Sequence, residues 1–246
     1  MKTKPQIIVA LDVPSSRSVP GIVANLPDQI EYYKIGLELF AAEGPAALDP
    51  LRAKQKKIFL DLKLHDIPRT VARAVASAAR HSVSLLTLHA SGGREKLKAA
   101  AQAARDCGES GPKLIAVTTL TSLNDQDLAE LGVTRSVADH TLALADLALS
   151  CGIHGLVCSP LEALALRKKY GPDPILITPG IRLRPADGAS PRQVRPSGEK
   201  KEDQKRVATL RAAVEAGADF LVVGRPILEA PDPRQAALDI LKEMSL

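Results

Sequence analysis

The chain has 246 residues, of which 45% are apolar and 25% charged, with a net charge of +5 at pH 7. Those values describe a globular protein with ample core, and the length suits one α/β barrel without requiring two domains. Aromatic residues make up only 2% and tryptophan is absent, which counts against the stacking platforms that single-stranded nucleic acids bind.

The modest positive balance serves solubility and also favours small anionic ligands. Cys107, Cys151 and Cys158 are too few and too scattered for a disulfide framework or a zinc site, and they suit a reducing cytoplasm. The opening MKTKPQIIVALDV runs straight into an alternating pattern and does not read as a signal peptide. No apolar run approaches the roughly 18 residues of a membrane-spanning helix. A cytoplasmic protein with neither a membrane nor a nucleic-acid partner is the expectation.

In chain order, strands are predicted at QIIVALDV (6–13), YYKIGLELF (32–40), KKIFLDLKL (56–64), VSLLTLHA (83–90), KLIAVTTLT (113–121), GLVCSP (155–160), PILITPGIR (174–182) and DFLVVGRPI (219–227). Between them lie stretches with apolar residues at helical spacing, such as TVARAVASAARH (70–81) and VADHTLALADLALSCG (137–152). Eight alternations of strand and helix predict a parallel sheet closed as a single-domain (β/α)8 TIM barrel spanning 1–246. A doubly wound open sheet is the competitor, but it calls for a Gly-rich turn after the first strand, where this chain has LDVPSSRS.

The predicted strands end in polar residues: Asp12, Lys34, Asp61 with Lys63, His89, Thr121, Arg182, and Gly224 with Arg225. Barrel active sites gather at that C-terminal face. In FLDLKLHDIPRTV (59–71), period-2 alternation turns Leu60, Leu62 and Leu64 outward and Asp61 and Lys63 into the barrel mouth, with Lys34 similarly placed on the preceding strand. Any one Lys–Asp pair could simply fill the interior. Three charges on adjacent strands are costly to bury unless paired, and they suggest a preorganised electrostatic site.

Asp66 lies past the strand end, an odd step from the Asp61/Lys63 face, so in a dimer it could reach the partner's site. Pro68 and Thr70 read as a helix start. Gly224 and Arg225 suit a phosphate, through close backbone approach and a bidentate guanidinium. Arg182 and Gln204 are further donors. The segment 183–203, rich in Pro, Gly and charge, reads as a mobile loop on the phosphate side.

Taken in order, VALDV, YKIGLELF, FLDLKLHDIPRTV, LHASGG, LIAVTTLTS, GLVCSP, TPGIR, DQKRV and VVGRPI make the chain resemble the bacterial type of the orotidine 5'-phosphate decarboxylase family across its whole length. The signature is D-x-K-x-x-D, here Asp61, Lys63 and Asp66. The resemblance implies a cofactor-free and metal-free conversion of orotidine 5'-phosphate (OMP) to UMP and carbon dioxide, in pyrimidine biosynthesis. It further implies a homodimer with sites at the subunit interface.

By the same resemblance, Lys34, Asp61, Lys63 and the partner's Asp66 form a charged array, with Lys63 the proton donor to C6. Asp12 and Lys34 hold the ribose, Thr121 contacts the base, and Thr70 and Asp61 also bind substrate. Arg182, Gln204, Gly224 and Arg225 lie along the phosphate. The loop at 183–203 is longer than the family's usual one, which leaves Gln193 as an alternative to Gln204, although DQKRV favours Gln204. Magnesium-dependent sugar-phosphate enzymes of the superfamily share the signature strand but resemble one another in a carboxylate where strand two has Lys34. A Schiff-base aldolase and a non-catalytic nucleotide binder are the other readings. Asp61 beside Lys63 opposes the first, and the intact charged residues oppose the second.

Overall fold

The computed structural model describes residues 4–182 and 208–244. Eight strands are all parallel: β1 Gln6–Ala10, β2 Tyr32–Gly36, β3 Lys57–Leu64, β4 Val83–His89, β5 Lys113–Val117, β6 Gly155–Val157, β7 Ile175–Thr178 and β8 Phe220–Val223. Each pairs with the next in sequence, and β8 pairs back to β1, so the sheet closes as a barrel with no free edge. Helices pack around it, among them Pro68–Ala79, Arg94–Asp106, Val137–Ser150 and Pro160–Tyr170. This is the expected (β/α)8 barrel.

Alternation along the strands divides the apolar residues into two cores. Ile8, Phe59, Leu85, Ile115 and Ile177, backed by Tyr32, Val157, Ile175, Phe220 and Val222, come from every strand and fill the barrel interior. Outward residues such as Val9, Ile35, Leu60, Leu86, Leu114, Leu156, Leu176 and Leu221 pack with helix residues including Val71, Val75, Leu97 and Ala145. Leu62 and Leu64 pack against this outer core as well. The leucines of β3 therefore face outward, as the alternation requires.

The strand ends differ from the sequence expectation in one consistent way. Residues 37–40 continue no strand, because Leu37–Glu43 is a helix that starts from extended Gly36, buries Leu39 and leaves Leu37 57% exposed. Similarly, β5 stops at Val117, and Arg225–Leu228 forms a short helix straight after β8. Residues Ile181–Arg182 pair with Ala208–Thr209 in a separate two-stranded ribbon and do not extend β7. Apolar runs are longer than the strands because the same residues go on to form the caps and helix starts that ring the mouth.

The helix Pro68–Ala79 carries proline at its first turn, where no amide donor is needed. Its predicted span, 70–81, differs by a two-residue shift. The loop 183–203, which contains Gln193, and Gln204 after it both lie outside the described residues.

Candidate active site

Inward-facing rows run up the strands from apolar to polar. Ile8 and Ala10 lead to Asp12, Tyr32 to Lys34, Phe59 to Asp61, Leu85 to Thr87, and Val222 to Gly224. At the top they surround a cavity of about 350 Å³ lined by Asp12, Lys34, Asp61, Lys63, Thr119, Thr121, Gly224 and Arg225, among others. Its floor is apolar, formed by Phe59, Val117, Val157, Ile177 and Val222. A ring stacked on that floor would place its polar edge among the charges.

Those charges form one continuous array. The Lys63 ammonium lies 3.0 and 2.9 Å from the two oxygens of Asp61. Asp61 Oδ2 is in turn 4.0 Å from Lys34 Nζ, which donates to Asp12 Oδ1 at 2.8 Å. Asp61 and Lys34 are 14% and 12% exposed at their side chains, whereas Asp12 is 60% exposed. The inner pair is therefore held where water screens it little, and the outer carboxylate is free to meet a ligand. Asp61 and Lys34 each have a partner of opposite sign, as burial demands.

Two residues that sequence reasoning passed over make this arrangement possible. Gly36 ends β2 beside the array, and a Cβ there would come within 2.9 Å of Lys34 Nζ and 3.6 Å of Asp12 Oδ1. A side chain there would displace the Lys34 ammonium from its present place beside Asp12. Thr87 on β4 is fully buried, accepts the Lys63 backbone N–H at 2.8 Å and donates to Asp61 Oδ1 at 2.9 Å. The signal was present as a hydroxyl between Leu86 and Leu88 in the mostly apolar run VSLLTLHA.

The remaining sequence candidates divide. Thr121 and, at the opposite rim, Gly224 and Arg225 line the cavity. Gly224 allows close packing there, since an added Cβ would stand 3.3 Å from Ala10 Cβ. Arg182 is placed by its backbone in the ribbon that follows β7. Asp66 and Thr70 are exposed and do not line this cavity. Asp66 Oδ1 accepts the backbone N–H of Ile67 at 2.6 Å, and Ile67 is 67% exposed.

His65 is exposed, and its ring meets His89 edge-on at 5.2 Å. Burial, with help from the charge of His65, pushes His89 down to about 4, so it stays neutral near pH 7. Behind it, Lys96 is 1% exposed and donates to the His89 carbonyl. Burial lowers Lys96 to about 8. Neither His65, His89 nor Lys96 lines the cavity.

Comparison with known proteins agrees on one family. The model of the orotidine 5'-phosphate decarboxylase / HUMPS family matches residues 5–240. The orotidine 5'-phosphate decarboxylase of Nostoc sp. is 43% identical over 245 residues, covering 98% of this chain and 97% of that protein. The enzyme of the same name from Rhodopseudomonas palustris is 46% identical, covering 98% and 94%. The crystal structure of the Lactobacillus acidophilus orotidine 5'-phosphate decarboxylase superposes with a TM-score of 0.82 at 36% identity, covering 99% of this chain and all of that one.

Proposed function

The chain belongs to the orotidine 5'-phosphate decarboxylase / HUMPS family, and from that premise we propose that its cavity decarboxylates OMP to UMP by fixed charge alone, with Lys63 as the proton donor. The carrying observation is the unbroken run Lys63–Asp61–Lys34–Asp12 at the barrel mouth.

The phosphate dianion goes to Arg225 and the Gly224 backbone, with Arg182 and Gln204 as further donors from the phosphate-side loop. The ribose hydroxyls meet Asp12 and Lys34, and Thr121 contacts the base. This seats C6 near Lys63 and sets the substrate carboxylate against Asp61. Like charges in a poorly screened site repel, so the ground state is disfavoured while the departure of carbon dioxide is not.

The C6–carboxylate bond breaks and carbon dioxide leaves. The electron pair stays on C6, and the Lys63 ammonium first stabilises it and then protonates it. Solvent returns the proton to Lys63. Phosphate binding remote from C6 supplies energy that assembles the site.

The metal-using branch of the superfamily is disfavoured by Lys34. Its ammonium stands between Asp12 and Asp61, where it would repel a divalent cation. A Schiff-base role is disfavoured because Lys63 is committed as an ammonium to both oxygens of Asp61.

The enzyme is a homodimer in which the partner's Asp66 completes each site. Two features support this: exposed Asp66 with the neighbouring apolar Ile67 at 67% exposure, and the absence of Asp66 from its own cavity's lining. Thr70, on the first turn of the next helix, belongs to the same shared edge. Cytoplasmic placement, with no nucleic-acid or membrane partner, fits three free cysteines and the lack, among the described residues, of a helix long and apolar enough to cross a membrane.

A comparison of substrates tests the assignment. Purified protein converts OMP to UMP and leaves a hexulose phosphate unchanged; turnover of the sugar phosphate with none of OMP would reverse the choice within the family.

A further inference from the structure

We propose that Thr87 is a positioning residue for the decarboxylation, one hydroxyl that locks both the Asp61 carboxylate and the Lys63 backbone into one geometry. The inference rests on the function proposed above and goes beyond it to a residue outside the charged array.

The ladder between β3 and β4 breaks at this point. Leu60 pairs with Leu86, and the next pair is Leu64 with Leu88. Residues 61, 62 and 63 therefore stand opposite Thr87 alone, an extended bulge of the kind that re-aims side chains near active sites. Within it, Lys63 takes a positive φ of 49°, uncommon and costly for a residue with a side chain. That turn keeps the Lys63 side chain over Asp61 although the regular alternation has been lost.

A broken ladder leaves backbone groups to be satisfied by something else. The Lys63 N–H finds Thr87 Oγ1 at 2.8 Å, and the same hydroxyl gives its proton to Asp61 Oδ1 at 2.9 Å. Its donor and one acceptor site are both used within the array. Thr87 is wholly buried, so no water competes for either bond. It does not line the cavity, which makes it a residue that acts through Asp61 and Lys63.

Asp61 has three separate duties: to hold Lys63, to lie within reach of Lys34, and to face the substrate carboxylate. Its Oδ1 takes the Thr87 hydroxyl as well as Lys63, and Thr87 is the neutral group that fixes the angle of the carboxylate. Without the hydroxyl, the carboxylate is free to rotate toward either ammonium, and the donor nitrogen loses its aim at C6.

The test pairs Thr87→Val, which keeps the shape and removes the hydroxyl, with Thr87→Ser, which restores it. Steady-state kinetics on OMP should show kcat of Thr87→Val down about 10- to 100-fold with KM nearly unchanged, as for loss of an orienting group behind reacting residues. Thr87→Ser should recover most of that loss. Thr87→Ala serves as the second hydroxyl-free variant if valine compromises folding, with thermal unfolding run beside the kinetics.

Two results would overturn the inference: a hydroxyl-free variant with wild-type kcat, or a serine variant as slow as the valine one. A loss confined to KM is the first of these results, and it would make Thr87 a matter of binding. A wild type that leaves OMP untouched instead removes the function on which it rests, which separates the two failures.

Discussion

Lys63→Ala is expected to lower the turnover of OMP by about 10⁴-fold or more while the barrel stays folded. Proton delivery by a placed acid contributes about 10²- to 10⁴-fold, and a fixed charge facing the developing carbanion is of similar worth. Both reside in one ammonium, so they are lost together and do not simply multiply. The fold should survive because Lys63 lies at the end of β3, partly exposed, and its backbone N–H bond to Thr87 does not depend on its side chain. Asp61 keeps its bond from Thr87 and the Lys34 ammonium at 4.0 Å, so no naked carboxylate is left behind. Lys63→Arg should not rescue, since a guanidinium holds charge but does not release a proton. Far-ultraviolet circular dichroism beside an absorbance assay of OMP checks both halves.

The second large effect is recovery from near zero. Asp66→Asn and Lys63→Ala proteins, each inactive alone, should regain activity when unfolded together and refolded as a mixture. In a two-fold dimer whose sites each take Asp66 from the other subunit, a heterodimer holds one intact site and one doubly defective site. Random 1:1 pairing makes half the dimers mixed, so about a quarter of wild-type activity is expected. If Asp66 serves its own subunit, every site in the mixture is defective and nothing returns. The outcome bears directly on why Asp66 is exposed beside Ile67 and does not lie within the cavity.

Much of this site was legible in the sequence, because the barrel strands alternate along most of their length. A polar residue two places beyond an inward apolar one must look into the mouth, and Phe59–Asp61 and Tyr32–Lys34 both do so. Thr121, Gly224 and Arg225 likewise appear in the cavity wall. What alternation could not report is where it stops. The bulge at 61–63 and the positive φ of Lys63 are properties of the pairing between β3 and β4, and only a neighbouring strand reveals them.

Thr87 lies 26 residues from Asp61 in the chain, and its partnership depends on that register. Gly36 was hidden differently. Read as the middle of a longer strand, it had no evident purpose, but once Leu37–Glu43 is a helix, Gly36 is the strand end that makes room for Lys34. Lys96 is a burial that composition alone does not reveal. A lysine in a polar-looking helix, REKLKAAAQAARD, is 1% exposed because it reaches inward to the His89 carbonyl.

The central claim is that fixed side-chain charge, with no metal, carries the decarboxylation. The most direct measurement is the absorbance change of OMP incubated with purified protein in excess chelator, beside the same reaction with added magnesium. Equal rates of conversion to UMP in the two are predicted. Conversion that stops with chelator and returns with magnesium would contradict the account.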